Sequence, residues 1–209
     1  MNKIPLAKEG LPFILGSALL TVLLWKWQVV LGVLGAVMTV FILSFFRDPA
    51  QNPPALENTF YSPASGTVTK VEKAASNPYW EGSFVKVSIF LSVFDVHVNR
   101  ASMNGLVKKI LYRPGKFIAA NHPQADSVNE SNVLVIESPR GIYLLRQIAG
   151  LIARRIVCDV QEGDRVTQGK RFGMIRFGSG MELYMPPSAV VQVSVGQKVT
   201  AGKTVLGAL

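Results

Sequence analysis

The chain is poor in the residues on which most enzymes and binding modules build their chemistry. Among 209 residues there is one cysteine, Cys158, and there are two histidines, His97 and His122. One thiol excludes an internal disulfide. Two histidines and a cysteine at unrelated spacings make no zinc site. No Walker loop and no strand-borne G-x-G-x-x-G is present, which removes the nucleotide-binding readings. Acids are scarce too: 13 Asp and Glu against 22 Lys and Arg give a formal charge of +9. A basic protein of this size commonly meets nucleic acid or an anionic membrane. Here the basic residues are scattered, with no dense run and no RNP-type aromatic motif, so no nucleic-acid partner is expected.

What the chain has instead is apolar length at its N-terminus. Residues 11–25 and 28–46 are two apolar runs separated by Lys26 and Trp27. The second has the length that spans a bilayer core; the first is shorter, with Pro12 near its start. Together they predict a membrane-anchoring helical hairpin over residues 1–48. Trp25 and Trp27 fall where amphipathic rings favour the interface. No small-residue cleavage site separates the runs, so a signal peptide is not the reading. Lys3, Lys8 and Arg47 flank the outer ends and Lys26 alone flanks the tip, which predicts a cell-membrane protein with residues 49–209 on the cytoplasmic side.

Beyond Asp48-Pro49 and Asn52-Pro53-Pro54 the pattern becomes β. Residues 67–71 alternate, and residues 84–91 alternate before turning fully apolar. Val133–Ile136 and Ile142–Leu145 flank the turn Ser138-Pro139-Arg140-Gly141 as a hairpin. A short helix is expected around Ile148–Arg154. Residues 162–169 (EGDRVTQG) and 195–202 (VGQKVTAG) echo each other as half-turns leading into apolar runs. The expected fold is mainly β: a compact, bent sandwich or barrel-like domain with lipoyl-like half-motifs behind the hairpin.

Few residues are candidates for chemistry. In Phe94-Asp95-Val96-His97-Val98-Asn99-Arg100 an extended strand would put Asp95, His97 and Asn99 on one face. An acid beside a histidine can orient its ring, so this is either a site or a polar strand edge. His122, in a polar loop, reads as solvated. Cys158 lies in an apolar run without a nearby histidine and reads as a structural thiol. Gly178-Ser179-Gly180 lacks the spacing of a hydrolase elbow and, on residue chemistry alone, stays an ambiguous turn.

Several separated stretches together resemble one family, the short, archaeal-type phosphatidylserine decarboxylase proenzymes. They are the apolar hairpin closed by Phe45-Phe46-Arg47-Asp48-Pro49, then Ser62-Pro63-Ala64-x-Gly66, then Phe94–Arg100. Pro114-Gly115-Lys116-Phe117, Asn129-Glu130 and the block from Ala149-Gly150 through Ala153–Ile156 to Gly173-x-Ile175-Arg176-Phe177-Gly178-Ser179 follow in order. The resemblance implies a pyruvoyl enzyme. The Ser179 hydroxyl would attack the Gly178 carbonyl, cutting the chain into a β chain (1–178) and an α chain (179–209) that begins with pyruvate. Phosphatidylserine would form a Schiff base with that group and leave as phosphatidylethanolamine and carbon dioxide. His97 would be the general acid, Asp95 its orienting neighbour and Arg100 a substrate-binding cation. The α and β chains would stay together at the membrane, and a homodimer would fit such an anchored domain. The sequence departs from the family where Ser65 replaces the usual Asp and where Ser131 and Gly180 replace arginines.

Two other readings fit parts of the chain. The half-motifs allow a membrane-tethered lipoyl- or biotinyl-like binding module, although Lys170 and Lys203 follow the half-motif and do not occupy its tip. An inactive homologue that keeps the fold is the other.

Overall fold

The computed structural model describes residues 5–54, 56–116, 128–150, 156–176 and 179–209. It divides after Ala50 into two compact units.

The first unit is a helical hairpin. Helix α1 (Leu11–Trp27), preceded by a 3-10 turn at Lys8–Gly10, is followed by α2 (Val29–Phe45). The break is one residue: Gln28 takes an extended conformation (φ −154°, ψ 131°) and reverses the chain. The arms pack through small residues, which let helix backbones approach. Gly32 lies against Trp25 and Gly35 against Thr21, while the Thr21 and Thr39 hydroxyls meet at 3.0 Å. The open ends are tied by Ala7 N–H to the Phe46 carbonyl and Asp48 N–H to the Pro5 carbonyl. The sequence had made the second arm the longer one. The helices are instead equal at 17 residues each, and it is the first, extended by its 3-10 turn to Lys8–Trp27, that is long and apolar enough to cross a membrane.

The second unit is mainly β, as its patterning predicts. An eight-stranded antiparallel sheet runs in the order β13-β2-β3-β11-β7-β6-β5-β9. Its strands are β2 (Gly66–Ala75), β3 (Phe84–Leu91), β5 (Gly105–Arg113), β6 (Ser131–Ser138), β7 (Gly141–Ile148), β9 (Arg165–Val166), β11 (Ser179–Met185) and β13 (Lys198–Val199). Two three-stranded sheets complete the unit: β1 (Thr59–Tyr61) with β14 (Val205–Ala208) and β12 (Val190–Val191), and β4 (Val98–Arg100) with β10 (Arg171–Ile175) and β8 (Ile156–Cys158). Alternation sets the faces. Val85, Val87, Ile89 and Leu91 of β3 join Met181, Leu183 and Met185 of β11 in the main core. Phe84, Val133, Val135, Leu144 and Tyr184 form a smaller cluster on the other face. The predicted hairpin is β6–β7, closed at Ser138↔Gly141.

The sequence echo has a structural meaning. Its two copies supply β9 and β13, the two outer edges of the large sheet. Gly163 and Gly196 open the copies with positive φ, and each donates to a neighbouring strand, at the Val107 and Val68 carbonyls. The second glycines, Gly169 and Gly202, donate to the Ala101 and Ser62 carbonyls. Between them the Gln168 amide is received by Asn104 and the Ala201 amide by Ser65. Ser65 and Asn104 are thus equivalent caps in an internal repeat.

The expected helix near Ile148–Arg154 is corrected at its start, where Ile148 is the last residue of β7. Residues 151–155 lie outside the described residues, as does the loop holding His122.

Candidate active site

Ser179 is the first residue of β11 and pairs with Leu91, the last residue of β3. Its side chain is fully buried and its hydroxyl has no hydrogen-bond partner among the described residues. Gly178 lies outside the described residues.

Two tethers bring His97 to the same end of the sheet. The segment carrying His97 follows directly from Leu91, and the His97 carbonyl accepts from Ile175 N–H at the end of β10. Ile175 precedes Ser179 by four residues. The His97 ring is fully buried, with Nδ1 2.9 Å from the Asp95 carbonyl oxygen. A carbonyl only accepts, so Nδ1 carries the proton and Nε2 carries the lone pair of the neutral ring.

This changes the part Asp95 plays. Strand β4 begins only at Val98, so Asp95 and His97 do not share an extended face. Asp95 sits in a turn, and its carboxylate accepts from the amide and hydroxyl of Ser92, both at 2.9 Å. Its main-chain carbonyl holds the His97 ring. Arg100 is buried, and Nη1 donates to the Gly169 carbonyl at 3.2 Å. The headgroup contact expected of Arg100 therefore finds no exposed guanidinium.

Sequence reasoning passed over a chain of buried amides behind these groups. Asn132 Nδ2 donates to Gln147 Oε1 at 3.1 Å, and Gln147 Nε2 donates to Asn99 Oδ1 at 2.9 Å. Every bond points the same way, which polarises the series. The series ends on Asn99 Nδ2, a fully buried donor with no acceptor among the described residues. Gln147 faces Met181 across β7–β11, two residues along from Ser179. Gly173 leaves room for the Gln147 amide, since a Cβ there would stand 3.1 Å from Nε2 and against the Val157 carbonyl. The available signals were Gln147, which with Arg146 interrupts the apolar run of β7, and Asn99 two residues from His97.

The remaining candidates are structural. Burial pushes the Cys158 thiol up from its usual range, reinforced by Asp159 and Asp164, which suits a thiol that stays protonated. Ser65 Oγ receives the Ala201 amide at 3.0 Å. Among the described residues no cluster of His, Cys, Asp and Glu could hold a metal ion.

Fold and site together define a curled β-sheet protein with a buried serine and a buried, tautomer-fixed histidine at one end of the sheet. The family model for phosphatidylserine decarboxylase matches residues 38–207. Three relatives share the name phosphatidylserine decarboxylase proenzyme. That of Beijerinckia indica is 47% identical over 97% of this chain and 88% of its own length. That of Geotalea daltonii is 43% identical over 99% and 97%, and that of Desulfotalea psychrophila is 43% identical over 98% and 97%. The chain belongs to the phosphatidylserine decarboxylase family.

Proposed function

We propose that the chain cuts itself between Gly178 and Ser179 and then decarboxylates phosphatidylserine to phosphatidylethanolamine. The observation that carries this reading is the Ser179 hydroxyl, buried and without a partner among the described residues. An orphaned buried hydroxyl costs about 1–3 kcal/mol, so its retention calls for a use. A residue destined to become a carbonyl fits that position, and the name proenzyme shared by the relatives agrees.

In maturation His97 Nε2 takes the hydroxyl proton while Ser179 Oγ attacks the Gly178 carbonyl carbon. The Asn99 Nδ2 donor is assigned to the oxygen that gains charge in this attack. The C–N bond breaks and the peptide becomes an ester. Removal of the Ser179 Cα proton then expels the Gly178 carboxylate and leaves dehydroalanine. Water enters, ammonia leaves, and residues 179–209 begin with a pyruvoyl group. When present, that group supplies the electron sink that lets the substrate carboxylate depart as carbon dioxide. His97 delivers the proton that replaces it. The headgroup role given to Arg100 would be played by a buried guanidinium whose Nη1 donates to the Gly169 carbonyl.

The helical hairpin anchors the protein in the cell membrane, with the β unit on the cytoplasmic side. Support comes from the apolar helix Lys8–Trp27 and from the basic residues at the hairpin's open end. The carrier-module reading is set aside: the half-motifs serve as paired sheet edges, and the chain falls in a decarboxylase family.

The test is turnover by the purified full chain. With carboxyl-labelled phosphatidylserine in vesicles it should release labelled carbon dioxide, and the Ser179→Ala protein should release none. An unlabelled gas phase from the matured wild type, or turnover by Ser179→Ala, would sink the reading.

A further inference from the structure

One row of paired residues crosses the large sheet beside Ser179. It runs from Arg113 on β5 through Ser131, Ile148, Gly180, Phe90 and Thr67 to Lys198 on β13. The row therefore ends on a basic residue at both sides, with the reacting serine next to its middle. Each end also carries an exposed aromatic ring. Tyr112, beside Arg113, is 61% exposed, and its hydroxyl donates to Glu130 at 3.1 Å. Phe94, in the turn joined to Lys198 through Asp95 at 3.9 Å, is 73% exposed. Among the described residues beyond Ala50, no large apolar side chain is more exposed.

The exposure of Phe94 is built in. Its turn is closed by Asp95 N–H to the Ser92 carbonyl and by both Ser92 donors to the Asp95 carboxylate. The same turn then supplies the carbonyl that fixes His97. Lys116 adds a third exposed cation, bridged to Asn129. Among the described residues the nearby acids are held in place: Asp95 by Ser92 and by Lys198, Glu130 by Tyr112, and Glu162 by the Ile110 amide.

We propose that Phe94 and Tyr112, with Lys198, Arg113 and Lys116, form a docking rim for an anionic lipid bilayer. A tyrosine ring, apolar with a polar tip, settles at the headgroup level, an exposed phenylalanine buries at the acyl boundary, and cations beside them meet lipid phosphates and carboxylates. Docked this way, the end of the sheet that holds Ser179 and His97 faces the headgroups. A lipid then needs to rise only part of its length to react. This inference rests on the reading that the substrate is a membrane lipid.

The test compares two substrates with the matured full chain. Phe94→Asp and Lys198→Glu should release the 179–209 fragment as the wild type does and should turn over monomeric short-chain phosphatidylserine unchanged. On phosphatidylserine in anionic vesicles kcat/KM should fall about tenfold for Phe94→Asp and less for Lys198→Glu. Equal loss on both substrates, or none on vesicles, overturns the rim. If the wild type uses neither substrate, the decarboxylase reading fails instead. The rim is then judged without turnover, by a fluorophore at Phe94→Cys in a Cys158→Ser background. In reconstituted full chain its emission should shift blue and be quenched by acyl-brominated lipids. An aqueous, unquenched spectrum overturns the rim. So does burial that depends on protein density in the vesicle, which would assign the surface to a second copy.

Discussion

Strands β7 and β11 carry two buried polar clusters, one on each face of the same sheet. On the outer face Glu182 is paired with Arg146 at 2.9 Å and with Lys86 at 3.5 Å, and it accepts from the Tyr184 hydroxyl at 2.9 Å. Lys86 also meets Glu72, and Arg146 stacks over the Tyr79 ring. On the inner face, Gln147, one residue along β7 from Arg146, and Ser179, three residues along β11 from Glu182, belong to a neutral set that among the described residues ends in an open donor and an open hydroxyl. The outer cluster is charged, and each charge in it meets an opposite one. Burial works against the Arg146 charge, and Glu182 outweighs it and raises its pKa. Burial and then Glu182 push Tyr184 up as well, which keeps it a donor. The lesson is that buried charge here is matched by opposite charge, while the neutral groups left unmatched among the described residues include those proposed to react.

That contrast can be broken from either side. The largest effect is expected from Ser179→Ala, which removes the open hydroxyl: the chain should fold, stay uncut and release no carbon dioxide, read on a denaturing gel and in the vesicle assay. Next comes His97→Ala, which should slow decarboxylation by about 10²–10⁴-fold, the span for a lost acid–base group. A smaller loss would move the proton transfer elsewhere. Asn99→Ala should lengthen the half-time of self-cleavage by about 10²-fold, as for a removed oxyanion donor, with the melting temperature little changed. A cleavage rate equal to wild type would make Asn99 merely structural.

The outer cluster should respond in the opposite sense. Arg146→Met leaves Glu182 buried beside Lys86 alone and should cost about 3–5 kcal/mol in urea unfolding. The double change Arg146→Met with Glu182→Leu should recover most of that loss. Cleavage at residue 179 should persist in the double variant. If cleavage failed while stability recovered, the two faces would not be separable in function.

How much of this was legible in the sequence depends on range. Alternation along residues 84–91 and the hairpin around Ser138–Gly141 are local patterns, and the structure reproduces them. The echo of residues 162–169 in 195–202 was visible, but its use as the two sheet edges depends on pairing with β5 and β2, far away in the chain. Asp95 and His97 are two residues apart, yet their relation was misjudged because a turn, not a strand, joins them. Spacing assigns a side chain to a face only where the backbone is regular. The Arg146–Glu182 pair and the amide series were out of reach for one reason, dependence on strand register: the pair on β7 against β11, the series on β6 against β7. Ser65, puzzling as a departure from an acid, becomes intelligible as the counterpart of Asn104, a cap that needs only an acceptor oxygen.

The central claim is that Ser179 is consumed by the protein's own chemistry. The direct measurement is the intact mass of the purified, denatured full chain. The account predicts two chains, the smaller spanning residues 179–209, lighter by one ammonia than a serine-ended peptide and reactive with a hydrazine. A single chain of 22.8 kDa, or a fragment with an unmodified serine at its start, would contradict it.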